Sequence, residues 1–171
     1  MIYISIGYNC SPRTYIKSQL RLMKRNGYLT CPFDLCVSPF NALYKCIETD
    51  FEFFFDELSL IAGLNAPGDR SLAGTGMLNI TNSYGFVFNH EGPSHSHLFN
   101  KGTNDDSFYC KDNFKEFKLR YQRRIDNFKN YIINNERITF VVYYHLDVEL
   151  DRLLLLLNTK YPNKTFTYIR I

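Results

Sequence analysis

The stretch RITFVVYYHLDVELDRLLLLLNTKYPNKTFTYIRI (residues 137–171) predicts a strand, a helix and a second strand in close succession. Its first part is rich in β-branched and aromatic residues, as buried strands are, and its leucine-rich part predicts a helix that Pro162 stops. A strand, a helix and a strand with short connections indicate a parallel β unit. We therefore expect an α/β fold.

The preceding segment, DNFKEFKLRYQRRIDNFKNYIINN (residues 112–135), predicts a long helix. Its basic run, residues 115–124, is interpreted as a solvated helix face, because a net charge of +3 predicts no strong nucleic-acid footprint. The opposite face is an apolar stripe at helical spacing, formed by Phe114, Phe117, Tyr121, Ile125, Phe128 and Ile132.

The N-terminal segment IYISIGYNCSPRTYIKSQL (residues 2–20) predicts a strand, a turn and a helix. Gly7 marks the turn, Ser11 suits a helix N-cap and Pro12 suits the first helical position. We expect this helix to continue until Asn26 and Gly27 close it.

The middle of the chain is less regular. A helix is predicted for residues 39–48 and a short one for residues 51–58. Residues 59–82 predict a loop with one weak strand near residues 77–81. Residues 84–90 predict a strand that ends at His90, and a polar loop follows over residues 91–106.

Together these elements predict one α/β domain over residues 1–171. Its central sheet is expected to be mixed or parallel and flanked by helices in three layers, as in Rossmann-like or flavodoxin-like folds. The chain stops within a predicted strand, which indicates either a sheet edge or a truncated parent sequence.

The composition predicts an intracellular, cytoplasmic protein. The five cysteines are an odd number, no leader-like segment precedes them, and no apolar run approaches the ~20 residues of a membrane span. No membrane association and no cofactor are expected, and the oligomeric state is left open.

Cys10 is the candidate nucleophile. A helix N-terminus stabilises a thiolate through its unpaired N–H groups, and Arg13 adds a positive charge nearby. Asn9 could donate a hydrogen bond to a developing oxyanion, together with backbone N–H groups from Ser11 onward. The alternative is a structural thiol in a strand-to-helix turn.

A catalytic thiol needs a base, and His90 is the candidate because it enters a polar loop directly after a predicted strand. Asp34, between apolar neighbours in CPFDL, is the candidate that orients the site, with Asn89 and Asp147 as other choices. The alternative role for Asp34 is a helix cap or a link to Arg13 or Arg124.

The sequence also contains residue types of two other kinds of site, a zinc site and a phosphate-binding loop. His90, His95, His97 and Cys110 contain zinc-binding residue types, but their spacing matches no tight motif, so no metal is expected. The turn GYNCSPR (residues 7–13) has one glycine and matches neither a dinucleotide-binding nor a Walker loop.

The motifs SIGYNCSPR, PFDL and YGFVFNHE, with a Tyr-x-Arg-Arg-Ile helix, resemble DUF1796, a family described as papain-like cysteine peptidases of bacteria, phages and large DNA viruses. The resemblance covers residues 2–145. It implies Cys10 as nucleophile and His90 as base, with Asp34 at a characteristic position, and a papain-like α+β fold as the alternative architecture. It also implies a protein or peptide substrate, and the host cytoplasm as location if the source is viral. A non-catalytic protein-binding module, acting on a host partner, is the alternative, and it predicts a fully enclosed Cys10.

Overall fold

The computed structural model describes residues 2–62, 78–92 and 108–171. These residues form a mixed α/β fold, and they contain six strands, four α-helices and a short 3-10 turn at Lys24–Asn26. The strands are β1 (Ile2–Ser5), β2 (Ser59–Ala62), β3 (Leu78–Thr81), β4 (Val87–Phe88), β5 (Arg137–Val142) and β6 (Thr165–Arg170), and the helices are α1 (Ser11–Ser18), α2 (Phe40–Glu48), α3 (Lys111–Asn134) and α4 (Asp147–Lys160).

The predicted parallel sheet is confirmed. Strand β5 lies in the centre and pairs in parallel with both β1 and β6, which gives the order β1-β5-β6. The unit β5-α4-β6 is the strand–helix–strand unit that residues 137–171 predict.

Helices cover both faces of this sheet. Val141 of β5 packs with Ile16 of α1 on one face. Phe140 and Val142 point to the other face and join the main core with Leu153 of α4. Because both faces are buried, β5 carries the nearly continuous apolar sequence typical of a central parallel strand.

A second, antiparallel sheet has the order β2-β3-β4. Strand β3 matches the predicted weak strand, whereas β2 lies in the region predicted as loop. An isolated antiparallel bridge between Val37 and Val87 ties this sheet to the segment before α2.

The long helix α3 is confirmed, but it is kinked near its start, where Asp112, Asn113 and Phe114 have left-handed φ values of 49°, 54° and 59°. Beyond this kink the apolar stripe is buried, at Phe117, Tyr121, Ile125, Phe128 and Ile132. Phenylalanine and tyrosine rings supply much of the core around it; Phe54, for example, stacks on Tyr121 with ring centroids 5.7 Å apart. None of the described helices is long and apolar enough to cross a membrane.

Three predicted elements are wrong in extent. Helix α1 ends at Ser18 instead of near Asn26, because the chain turns back at Arg21, whose φ is 56°, and the Arg13 guanidinium donates to the Leu22 carbonyl at 3.0 Å. Residues 51–58 form turns and no helix, since Phe51 and Glu57 have left-handed φ values of 68° and 52°.

The strand predicted for residues 84–90 is reduced to the two residues of β4. Asn82 organises a turn ahead of it, accepting hydrogen bonds from the Gly85 and Phe86 N–H groups. His90 therefore lies two residues beyond the strand, in a turn. Residues 93–107, most of the predicted polar loop, lie outside the described residues.

Candidate active site

Cys10 is the N-cap residue of α1, directly after the loop that leaves the carboxyl end of β1. The helix begins at Ser11, one residue earlier than predicted, so the thiol lies at the helix terminus itself. The first turn contains no acidic residue and includes Arg13. The Cys10 side chain is partly exposed. This position combines solvent access with the favourable end of a helix dipole.

The loop between β1 and α1 is held tightly against the end of β5. The Ile6 N–H donates to the Val141 carbonyl at 3.0 Å, and the Tyr8 N–H donates to the Tyr143 carbonyl at 3.3 Å. A Cβ at Gly7 would lie only 2.7 Å from Cγ of Pro12 and 3.2 Å from the Tyr143 nitrogen. Glycine is therefore required here so that α1 can start close to the sheet.

Asn9 and Ser11 form a small turn around Cys10. The Ser11 N–H donates to Oδ1 of Asn9 at 2.9 Å. This hydrogen bond fixes the orientation of the Asn9 side chain through its oxygen. The Nδ2 group of Asn9 is the part of the amide that can donate to another group. The Ser11 N–H is already used within the protein.

Arg13 and Asp34 lie together beneath this helix terminus. Nε of Arg13 lies 3.8 Å from Oδ2 of Asp34, and the guanidinium stacks 3.9 Å above the centre of the Tyr28 ring. Oδ1 of Asp34 accepts a hydrogen bond from the Tyr28 hydroxyl at 3.0 Å, and Oδ2 accepts one from the Cys31 N–H at 3.0 Å. The link from Asp34 to Arg13, weighed as an alternative role, is therefore present.

Asp34 is completely buried. Burial raises the pKa of its carboxyl from 3.8 to about 6, and the Cys31 N–H, Arg13, Tyr28 and Arg124 limit the rise. The carboxylate form is stabilised by these partners, since a buried charge needs hydrogen bonds and opposite charge.

His90 and Cys10 both lie a few residues from one backbone junction. At this junction the Ser38 N–H donates to the Tyr8 carbonyl at 3.2 Å, and Val37 pairs with Val87 of β4. Cys10 follows Tyr8 by two residues and His90 follows Val87 by three. The segments that carry Cys10 and His90 are therefore both hydrogen-bonded to the same two adjacent residues, Val37 and Ser38.

A charged network that the sequence analysis missed follows His90 directly. The carboxylate of Glu91 is completely buried and accepts from Nε of Arg120 at 3.0 Å and from Nη2 of Arg124 at 3.1 Å. The Tyr121 hydroxyl donates to the other carboxylate oxygen of Glu91 at 3.1 Å. This network attaches the turn that carries His90 to helix α3.

The interpretation of residues 115–124 as a solvated basic face is therefore wrong for part of the run. Arg124 is only 3% exposed and belongs to the core side of α3. The sequence contained a signal, because Arg124 follows Tyr121 by three positions and precedes Phe128 by four, which puts it in the apolar stripe.

The other cysteines differ from Cys10 in their surroundings. Cys31, Cys36 and Cys46 are buried free thiols, and burial raises the pKa of each of them. Cys110 is partly exposed and is the N-cap residue of α3. Buried thiols of raised pKa are poor nucleophiles, so the reactive candidates are Cys10 and Cys110.

Of the residues considered for zinc, His95 and His97 lie outside the described residues. Within residues 2–62, 78–92 and 108–171, no three histidine, cysteine, aspartate or glutamate residues are grouped as metal ligands. Asp147, weighed as an orienting residue, is exposed and pairs with Arg170 at 2.7 Å, whereas Asn89 is buried.

Comparison with known proteins gives a family match. A family model described as "Putative papain-like cysteine peptidase (DUF1796)" matches residues 1–168. Neither a curated protein nor a solved structure matches the chain. The family description implies a protein or peptide substrate. Since the match extends over almost the whole sequence, the chain belongs to the DUF1796 family.

Proposed function

We propose that this protein is a cysteine hydrolase acting on protein or peptide substrates, as a peptidase or a deconjugating enzyme, with Cys10 as nucleophile and His90 as general base. The observation that carries the proposal is the position of Cys10. It is a partly exposed thiol at the N-cap of α1, with Arg13 in the first turn of that helix.

The chemistry proceeds in two acyl-transfer steps. His90 takes the proton of the Cys10 thiol, and the sulfur attacks the carbonyl carbon of the substrate. The tetrahedral oxyanion collapses, the C–N bond breaks, and the imidazolium of His90 gives its proton to the leaving amine. Water, deprotonated by His90, then attacks the thioester, which releases a carboxylic acid and restores the thiol.

The neighbouring residues support these steps from fixed positions. Asn9 would donate from its Nδ2 group to the oxyanion, and Ser11 would keep Asn9 oriented through the hydrogen bond at 2.9 Å. Arg13 contributes positive charge beside the thiolate, and its guanidinium is held by Tyr28 and Asp34. Asp34 thus acts as a positioning residue that steadies the first turn of α1.

The alternative of a non-catalytic binding module predicts a fully enclosed Cys10. The partial exposure of this side chain favours the hydrolase instead. A reactive cysteine must be reached by its substrate, whereas a structural thiol gains stability from burial.

The proposal is tested by labelling with iodoacetamide over a range of pH. In the unaltered protein we expect Cys10 to react faster than an ordinary thiol at neutral pH, because His90 and the helix terminus favour the thiolate. His90→Ala should move the labelling profile of Cys10 toward the ordinary thiol value of about 8.5. Labelled peptides are identified by mass spectrometry, so each cysteine is followed separately.

Cys110 is the internal control, since it is the other partly exposed cysteine. Its profile should be the same in the unaltered protein and in His90→Ala. Cys10→Ala should remove the rapid phase and leave the labelling of Cys110 in place. A Cys10 profile that stays at the ordinary thiol value and does not respond to His90→Ala would refute the proposed pair.

A further inference from the structure

A basic cavity of about 260 Å³ lies between the 3-10 turn at Lys24–Asn26 and helix α3. Four cationic residues line it, and none of the described lining residues is acidic: the four are Lys24, Arg120, Arg123 and Arg124. The cavity also reaches Tyr28, whose hydroxyl is bound by Asp34.

The positive charge of this cavity is only partly balanced by the protein. Glu91 accepts hydrogen bonds from Arg120 and Arg124, so one carboxylate serves two guanidinium groups. Lys24 and Arg123 form no ion pair within the described part of the chain. Positive charges that share one cavity repel each other, so an added anion would stabilise the cavity.

Arg124 gives an independent indication of a missing partner. Its side chain is 3% exposed, and Nη2 lies 3.1 Å from a carboxylate oxygen of Glu91. The other terminal nitrogen, Nη1, is buried and has no hydrogen-bond acceptor among the described residues. Buried donors in native proteins nearly always have a partner. The guanidinium also lies 4.4 Å from the centre of the Tyr121 ring, which attracts its charge but gives Nη1 no hydrogen-bond acceptor. Because Arg124 lines the cavity, an anion bound there would add negative charge beside this group.

Lys24, which lines the cavity from the 3-10 turn, is also affected by the excess of positive charge. Desolvation lowers the pKa of its ammonium group, and repulsion by Arg120, Arg124 and Arg123 lowers it further. An anion between these side chains would counteract the repulsion.

We propose that this cavity binds a phosphate group. A phosphate dianion offers oxygens on all sides and can accept from several guanidinium and ammonium groups together, while arginine forks match its geometry. With Glu91 counted, the four cations leave a net charge of +3; a bound carboxylate would reduce it to +2, and a phosphate dianion would reduce it to +1. The site does not depend on the proposed roles of Cys10 and His90.

The experiment is calorimetric titration of the full chain with inorganic phosphate, at pH 7.5 and at constant ionic strength set with sodium chloride. O-phosphoserine serves as a second probe, for a phosphate group carried on an organic molecule. We expect saturable binding at one site. Arg123→Gln and Lys24→Gln should each weaken it by about tenfold, because each removes a charge-assisted hydrogen bond.

Arg123 and Lys24 suit this test because both are exposed and stand outside the Glu91 network, so the variants should fold. Matched controls are Arg137→Gln and Lys17→Gln, which remove exposed charges outside the cavity lining and should leave the affinity unchanged.

Tighter binding of O-phosphoserine would identify an esterified phosphate as the occupant, and tighter binding of inorganic phosphate would identify the free ion; both results support the site. The proposal is overturned if neither probe gives saturable heat. It is equally overturned if Arg123→Gln and Lys24→Gln bind as the unaltered protein does.

Discussion

Asp34 places a fully buried carboxyl group beneath the first turn of α1. Its contacts with Tyr28 and with the Cys31 backbone are made within a turn of a few residues, but the contact with Arg13 joins positions far apart in the sequence. The carboxyl group of Asp34 therefore ties the start of α1 to the turn that follows Tyr28.

The raised pKa of Asp34 makes stability depend on pH. Between pH 4 and 6 the folded protein keeps the Asp34 proton while the unfolded chain, with a pKa of 3.8, has lost it. The folded state therefore binds more protons, and raising the pH through this window lowers the free energy of unfolding. A rise in pKa from 3.8 to about 6 corresponds to a loss of about 3 kcal/mol.

Asp34→Asn has no proton to lose, so this decline should disappear. Urea denaturation at pH 4, 5, 6 and 7 measures it, with the unaltered protein as reference. Asp151→Asn, at an exposed position on α4, is the control and should keep the decline. Equal slopes for Asp34→Asn and the unaltered protein would contradict the raised pKa.

The residues around Glu91 mark the limit of the sequence-based prediction of the site. Cys10 was correctly expected at a strand-to-helix turn, because the Ser-Pro pair and the glycine are local signals. Glu91 was assigned to a polar loop, because its burial depends on Arg120 and Arg124, about 30 positions later in the chain. The position of Arg124 in an apolar stripe was the only signal in the sequence for this buried charge network.

At the scale of elements, periodicity predicted the long segments well and the short ones poorly. The helix α3 and the unit β5-α4-β6 carry strong local patterns, and they form as predicted. Helix α1 stops early because Arg13 binds the Leu22 carbonyl, and β4 is short because the Asn82 side chain closes a turn before it. In both places a side chain competes with the backbone pattern of the regular element.

The close start of α1 against the sheet leads to a prediction at Gly7. Gly7→Ala should lower the free energy of unfolding by about 1–3 kcal/mol, because the new methyl group would overlap the Pro12 ring, which cannot move away as a flexible side chain would. The shift of Pro12 should also slow the labelling of Cys10. Urea denaturation and iodoacetamide labelling measure the two effects.

Gly27→Ala is the matched control. Gly27 has a φ of 87°, so alanine is strained there by about 1–2 kcal/mol, but a methyl group at this position meets no atom within 4 Å. The Gly27→Ala variant should therefore be less stable than the unaltered protein, but its Cys10 should be labelled at the same rate. Unchanged stability and labelling in Gly7→Ala would show that the turn does not position α1.

At the scale of the whole molecule, two sheets and the long helix α3 meet around a few buried charges. The parallel sheet carries Cys10 at its carboxyl edge, and the antiparallel sheet leads into the turn of His90 and Glu91. Glu91 then fixes that turn to α3 through Arg120, Arg124 and the Tyr121 hydroxyl. The geometry of the candidate site thus depends on a contact made outside it.

We therefore expect Glu91→Gln to destabilise the protein by about 3–5 kcal/mol, because it leaves the buried guanidinium of Arg124 without its opposite charge. Thermal or urea denaturation measures the loss. Glu48→Gln is the matched control: it breaks the exposed pair with Lys45 at 2.7 Å, where water replaces the lost partner, so no measurable change is expected. If the two variants were equally stable, Glu91 would not hold the turn of His90 against α3, and the position of His90 would have to be set by other contacts.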